Sequence, residues 1–432
     1  MIGVILFSIF VALMLIGVPI GISLGIGGAV AIALANLNVT SFGLLALPQN
    51  LYASLTKYPL LALPMFVLVG SIFDRSGVAQ RLVNFAVAIV GRGPGMLPVV
   101  AIGVAMFLGG ISGSGPANAA AVGGVMVAAM ARAGYPAGFS ASVIGAAAAT
   151  DILIPPSIAL IIYSVLVPSA SVPALFAAGM IPGVLAGLAL IIPTIWLSRR
   201  HNLGHLEASE PRPPFWKSLK EAVWGLLAPV LILGGMRFGW FTPTEAAAVA
   251  VGYGLFVGMA IHRTIGIKDL MPIFREAAEF SAVILMIIGL ASIFAYSVST
   301  LSIIDPIAKF ITDLGLGSTG TLLCLMVLLL FVGMFLDGVS TFLIFVPLVT
   351  PLMRTYNWDP VWFGILLTFK VAVGQFTPPM AVNLMVSCKL AGVSMEDTLP
   401  WVWWLVLAMM LSLLAVLFYP PLALWLPRAL GY

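Results

Sequence analysis

Charge is what this sequence has least of. Asp, Glu, Lys and Arg make up 8% of the 432 residues, where an ordinary soluble domain carries about 25%. Such a chain cannot cover a water-facing surface, which excludes a soluble enzyme, a nucleic-acid binder and a disordered scaffold. The net charge of +4 is small and spread out, so it names no nucleic-acid partner. Cysteine is nearly absent: Cys324 and Cys388 lie in apolar stretches without a CxxC, which excludes a disulfide framework. Histidine is equally sparse. His201 and His205 stand at i,i+4, but Glu207 is the one close acidic neighbour, too few ligands for zinc, and the segment reads as a polar loop. No GxxxxGK[ST] motif is present to power an ATP-driven pump. No cluster of His, Asp and Glu offers the acid–base or metal chemistry of a membrane enzyme. Nothing suggests the symmetric filter of a channel. The apolar N-terminus, MIGVILFSIFVALMLIGVPIG, has no Lys or Arg before it, so it reads as a retained first membrane helix rather than a secretory signal.

What is there is apolar sequence. Hydrophobic residues fill 62% of the chain, in long runs rich in Leu, Ile, Val, Ala and Gly. In lipid only helices and closed barrels satisfy their backbone, and the alternation a barrel needs is missing. The fold class is an all-α polytopic membrane protein.

The most polar stretch, SRRHNLGHLEASEPRPPFWKSLKEA at 198–222, divides the chain almost in half. Its basic excess (Arg199, Arg200, Arg212, Lys217 and Lys220 against Glu207, Glu210 and Glu221) places it in the cytoplasm. Trp216, Leu219 and Val223 fall at helical spacing, which predicts a helix lying in the interface. The stretch 262–280 has the same look.

The halves repeat weakly. A shift of 224 carries Pro19 onto Pro243, Gly28 onto Gly252, Gly109 onto Gly333, Pro136 onto Pro360 and Pro155 onto Pro379. SIF at 71–73 recurs at 292–294. The organisation is then 1–200 for the first repeat, 201–222 for a polar linker with its interfacial helix, and 223–432 for the second repeat. An internal repeat in a membrane protein points to a transporter with pseudo-symmetric halves.

Each half contains two interruptions. Residues 96–108 are apolar, and GGISGSGPANAAA (109–121) follows. Thirteen helical residues rise ~20 Å, short of a ~30 Å hydrocarbon core. A re-entrant hairpin over about 96–131 is predicted, with a counterpart over about 320–353 broken at Asp337, Gly338, Ser340 and Thr341. Then come double prolines, in ATDILIPPSIAL (149–160) and VGQFTPPMAVNL (373–384), breaking helices at about 138–167 and 361–392. Gly109 to Pro155 and Gly333 to Pro379 are both 46 positions. Proline leaves the carbonyl four residues earlier without its helical bond. Pro155 and Pro156 thus free the carbonyls of Asp151 and Ile152, and Pro378 and Pro379 those of Gly374 and Gln375. Such oxygens, with the Thr377 hydroxyl, are the hard donors that coordinate Na⁺ in broken-helix transporters, and half-helix N-termini beside them suit an anionic substrate. Lys370 lies one helical turn before Gly374 and is placed either to face a substrate carboxylate or to snorkel to the interface. Asp151 is a candidate for binding a cation or a proton. Thr242 and Glu245 have capping-box spacing, and Asp74 and Arg75 close the helix before them at the interface.

The chain resembles, over essentially its full length, the large membrane subunit of tripartite ATP-independent periplasmic (TRAP) transporters. The resembling segments are SIFDRSGVAQRLVNFA (71–86), FLGGISGSGPANAAAVGG (107–124), ILIPPSIALIIY (152–163), FTPTEAAAVAV (241–251), FVGMFLDG (331–338) and GQFTPPMAVNL (374–384). The resemblance implies an elevator-type, sodium-coupled importer of an organic acid in the bacterial inner membrane, with no cofactor beyond the coupling ion. It implies two partners, a small four-helix membrane subunit and a periplasmic substrate-binding protein. It carries one sodium site onto Gly333, Gly374, Thr377 and Met380. The repeat-related site falls on Gly109, Ser112 and Ser114 at the first tip and Asp151 and Ser157 at the first break. Substrate contacts are expected from Ser114, Gly338, Lys370 and Asn383. Two departures stand out: Asp151 and Ile152 occupy positions where the family often has Gly-Pro, and Ala372 replaces the usual acidic residue before the second break. A stand-alone carboxylate symporter coupled to sodium or protons is the alternative. Sialic acid, C4-dicarboxylates, other sugar acids and keto acids all remain open as substrates.

Overall fold

A computed structural model describes residues 2–38, 44–91, 93–207, 211–303, 306, 309, 313, 315–334, 336 and 338–432. Its helices are α1 (Ile2–Leu15), α2 (Ile20–Ala35), α3 (Ala46–Leu55), α4 (Ala62–Arg75), α5 (Val78–Val90), α6 (Met96–Ser112), α7 (Gly115–Arg132), α8 (Ala137–Ala148), α9 (Ile158–Leu166) and α10 (Val172–Arg200). The second half adds α11 (Phe215–Arg237), α12 (Pro243–Leu255, continued by a π-helical turn to Ile261) and α13 (Ile267–Thr300). It closes with α14 (Gly317–Gly333), α15 (Gly338–Thr355), α16 (Pro360–Gly374), α17 (Val382–Ala391), α18 (Leu399–Phe418) and α19 (Pro421–Ala429). Among the described residues, seven helices are long and apolar enough to cross a membrane.

The helices pack as two groups. Helices α1–α5 and α11–α13 form a frame, in which α2 lies along α13 and α12 along α4. Helices α6–α10 and α14–α19 form a core around the two interrupted regions. The frame shows how the repeats are related. Gly21, Gly25 and Gly28 of α2 meet Ile287, Leu290 and Phe294 of α13 in the same order, so these helices run parallel. The 262–266 turn reverses α12 into α13, with Thr264 N–H donating back to the Gly258 carbonyl at 2.9 Å. Helix α2 and its counterpart α12 therefore cross in opposite directions, and the repeat is inverted. The recurrent SIF has a packing role in both halves. Gly28 lets α2 approach Phe294, where a methyl group would sit 2.8 Å from a backbone atom, and Gly254 lets α12 approach Ile72 and Phe73.

Three readings of the sequence change. The apolar run at 1–21 is not one helix: α1 ends at Leu15, Gly17 turns the chain at φ 91°, and Pro19 caps α2. The stripe of Trp216, Leu219 and Val223 is not a separate interfacial helix. It opens the uninterrupted 23 residues of α11, packed along α5, because Glu221 and Ala222 propagate a helix rather than stop it. Likewise 267–280 is the start of α13, whose 34 residues rise ~51 Å, well beyond a hydrocarbon core.

Candidate functional site

Both hairpins are present. Helices α6 and α7 turn through Gly113, at φ 60°, and Ser114, and α6 runs through Gly109 and Gly110 to Ser112 rather than stopping at 108. Helices α14 and α15 form the second. Its Ser340 and Thr341 lie buried in the first turn of α15, and Asp337 falls outside the described residues. Both double prolines break their helices: α8 and α9 flank the first and α16 and α17 the second, and both Pro–Pro peptide bonds are cis.

Each hairpin tip is pressed onto its own break. A methyl group on Gly109 would lie 2.6 Å from the Asp151 Cα, and one on Gly113 would lie 2.9 Å from the Pro156 carbonyl oxygen. A methyl on Gly374 would lie 2.5 Å from the Gly333 carbonyl oxygen. Gly109 and Gly113 at the first tip and Gly374 at the second break are thus what allows main chain to meet main chain. Beyond the breaks, α7 packs on α17 and α15 on α9, so each hairpin also grips the opposite repeat.

Three of the four freed carbonyls, those of Ile152, Gly374 and Gln375, are not bare. The Ser157 hydroxyl donates to the Ile152 carbonyl at 2.6 Å. Thr377 N–H donates to the Gly374 carbonyl at 3.2 Å, and Asn383 N–H to the Gln375 carbonyl at 3.0 Å. The Thr377 hydroxyl donates to the Val373 carbonyl. The chain re-satisfies its own broken ladder, as buried backbone groups must, and each of these oxygens keeps a second lone pair for a ligand.

Two charged side chains do lack partners. Asp151 is fully buried, and neither carboxylate oxygen has a hydrogen-bond partner. Lys370 is 1% exposed with its Nζ unpartnered, so it does not snorkel. An isolated charge in a dry interior is strongly unfavourable, so each of these side chains is either neutral there or met by a compensating group.

The sequence reading named the Gln375 carbonyl but missed its side chain. Its side-chain oxygen accepts from Asn383 Nδ2 at 3.1 Å, while Asn383 Oδ1 has no partner. This amide pair sits where the hairpins converge: a methyl on Gly115 would lie 2.7 Å from both Asn383 Oδ1 and Gln375 Oε1, and one on Gly338 would lie 3.4 Å from Gln375 Nε2. The N-termini of α7 and α15 therefore both approach it. The available signal was position, since a shift of 224 carries Asp151 onto Gln375.

A cavity of about 340 Å³ opens between core and frame. Ser112, Ser114 and Ile158 line it from the core, and Ser71, Asp74 and Glu276 from the frame. Ser114 is thus where a substrate contact was expected, whereas Gly338, Lys370 and Asn383 do not line this cavity. The Met380 side chain is half-exposed. Arg75 bridges to Glu276 at 2.7 Å beside the mouth.

Glu207, which composition placed in a polar loop, is fully buried. It accepts from Leu97 N–H at 2.8 Å and from the Tyr135 hydroxyl at 2.6 Å, which itself accepts from Gly95 N–H. A carboxylate thus caps the N-terminus of α6 and ties the linker to the base of the first hairpin. Burial, then the Glu207 hydrogen bond, pushes the Tyr135 phenol well above its usual range. Among the described residues no group of three His, Cys, Asp or Glu assembles to hold a metal, consistent with His201 stacking edge-on against Trp401.

Inverted repeats, hairpins that stop inside the fold and paired helix breaks define a secondary transporter. Residues 7–422 match the family model of the tripartite ATP-independent periplasmic transporter, DctM component, and the chain belongs to that family. It is a large-permease component, a transport protein rather than an enzyme, and a multi-pass protein of the bacterial inner membrane. It is 36% identical over 413 residues to the C4-dicarboxylate TRAP transporter large permease protein DctM of Pseudomonas aeruginosa, covering 95% of this chain and 94% of that one. It is 33% identical to the sialic acid large permease protein SiaM of Vibrio cholerae, covering 98% and 99%. The isethionate permease protein DctMQ of Oleidesulfovibrio alaskensis is 34% identical, and the chain spans 65% of its length. Among solved structures, the YdaH transporter of Alcanivorax borkumensis shares the fold, with a TM-score of 0.57 over 93% of this chain and 98% of that one at 13% identity.

Proposed function

We propose that this chain is the membrane-crossing pathway of a sodium-coupled importer of an organic acid. A periplasmic binding protein delivers the acid, and a small membrane subunit completes the assembly. The observation that carries this reading is the repeated seating of a hairpin tip on a double-proline break, main chain against main chain. It gathers main-chain and hydroxyl oxygens twice, at Gly109–Ser112–Asp151–Ser157 and at Gly333–Gly374–Thr377, a donor set suited to a small hard cation. Asp151 supplies a negative charge at the first of these. The N-termini of α7 and α15 at the Gln375–Asn383 amides supply positive potential for a carboxylate. The division into frame and core, with a cavity between them, supports an elevator movement of the core past the frame. The relatives that carry C4-dicarboxylate and sialic acid in their names support an organic acid as the substrate class.

The test is uptake into proteoliposomes containing this chain, its small partner and a panel of loaded binding proteins. Uptake should require an inward Na⁺ gradient and collapse when external Na⁺ is replaced by K⁺. Uptake driven fully by a proton gradient would overturn sodium coupling. Robust uptake without any binding protein would return the chain to the stand-alone symporter.

A further inference from the structure

The geometry points to Lys57 as a positioning residue of the transport cycle: fixed to the frame, its ammonium holds the carboxyl end of α9 and so favours one placement of the core. This rests on the frame-and-core reading above.

Lys57 Nζ donates to the Val165 carbonyl at 2.7 Å, across 108 residues of sequence. Val165 is in the last turn of α9, where carbonyls have no helical partner and the helix dipole presents negative potential. A lysine ammonium is the fitting cap for such an end. Because α9 begins at the first proline break, whatever grips its far end grips the element that carries the break.

The other end of the contact is anchored. Lys57 immediately precedes the 3₁₀ turn Tyr58–Leu61 that leads into α4, and Leu60 N–H donates to the Lys57 carbonyl. The Tyr58 hydroxyl accepts from Thr244 at 2.7 Å, beside the capping box in which Thr242 and Glu245 start α12. The ammonium therefore projects from a braced corner of the frame.

Beside the cavity frame and core also meet through small side chains, as where Gly70 of α4 lies against Ser112 of α6. The Lys57–Val165 hydrogen bond joins frame to core directly. A polar catch at the edge of a sliding surface resists displacement where its bond is made and little beyond it. The catch lies at the end of α4 away from the linker, while the cavity, with Asp74 and Glu276, lies at the linker end. The arrangement that the catch stabilises is thus the one whose cavity lies toward the linker.

The experiment uses the full chain with its small partner in lipid nanodiscs, Cys324 and Cys388 replaced by Ser. Spin labels go at the exposed Trp240 of the frame and Ser169 of the core. Distance distributions are recorded in Na⁺ and in K⁺ for the parent, Lys57→Met, Lys57→Gln and Lys57→Arg. The parent should show two distances. Lys57→Met and Lys57→Gln should move their ratio about threefold or more away from the linker-facing one, the size of effect a helix-end charge supports. Lys57→Arg, which keeps the charge, should restore it. Two distances in an unchanged ratio for Lys57→Met and Lys57→Gln would overturn the assignment while leaving the moving core intact. A single distance in the parent under both salts would overturn the moving core, and this assignment with it.

Discussion

The carbonyl oxygen of Gly333 occupies the space a side chain on Gly374 would need, whereas the reverse does not hold. A methyl on Gly374 would fall 2.5 Å from that oxygen, but a methyl on Gly333 would find only the Gly374 Cα, at an ordinary 3.7 Å. The close approach of second tip to second break is therefore set by Gly374. The first half has the same crowding at Gly109, where a methyl would fall 2.6 Å from the Asp151 main chain.

Substitutions at these glycines should thus separate. Gly374→Ala and Gly109→Ala force the tip off its break. Overpacking of this kind costs roughly 1–3 kcal/mol, and uptake should fall at least tenfold at equal membrane abundance. Gly333→Ala should retain most of it. Equal loss in Gly333→Ala and Gly374→Ala would show that the contact geometry is not what matters.

Much of this was legible in the sequence, for physical reasons that also mark where legibility ended. Glycine and proline fix main-chain breaks locally, so the hairpins at Gly113–Ser114 and the breaks at Pro155–Pro156 and Pro378–Pro379 were readable from composition and spacing. The capping box at Thr242 and Glu245 is equally local, and both of its bonds are present. Partners distant in sequence were not readable. Nothing near Glu207 reveals that Leu97 and Tyr135 bury it. Three of the four carbonyls counted as free are matched by donors that only the folded turn brings round, such as Asn383 N–H on Gln375. The direction of the repeat needed helix pairing, which no single half contains.

Glu207 should matter for stability more than for transport. Glu207→Ala leaves Leu97 N–H and the Tyr135 hydroxyl without their acceptor in a buried site. Hydrogen bonds to charged groups contribute ~1.5–3 kcal/mol each, so a loss of about 3 kcal/mol is expected. Thermal unfolding in detergent should shift down by several degrees for Glu207→Ala and by less for Glu207→Gln, which keeps one acceptor. An unchanged midpoint for Glu207→Ala would mean that water replaces the carboxylate without cost.

Asp151 offers a cleaner test of the ion. Asp151→Asn keeps the shape and removes the charge from a side chain with no protein partner. If the carboxylate faces the coupling cation, half-saturating Na⁺ for uptake should rise about tenfold, equivalent to 1.4 kcal/mol of lost binding. Unaltered sodium dependence, together with loss of any pH dependence of uptake, would make Asp151 a proton site instead.

Thr377 tests the second site from the side-chain end. Its hydroxyl hydrogen is committed to the Val373 carbonyl, and the residue is 1% exposed. That bond fixes the oxygen with its lone pairs turned away from Val373 and available to a cation. Thr377→Ser keeps both the bond and the donor oxygen, so it should retain sodium affinity. Thr377→Val keeps the shape and loses both, and Thr377→Ala loses the shape as well. Taking ~1.5–3 kcal/mol for one contact to a charged partner, half-saturating Na⁺ should rise about tenfold or more in Thr377→Val and be offset by high Na⁺. The measurement is initial uptake against Na⁺ concentration at matched protein level, for all three variants. A fall in maximal rate alone, with the half-saturation point unmoved in Thr377→Val, would assign the hydroxyl to bracing the proline break. The second ion would then rest on main-chain oxygens, Gly333 and Gly374 among them, and the sensitivity of Gly374→Ala would remain its principal signature.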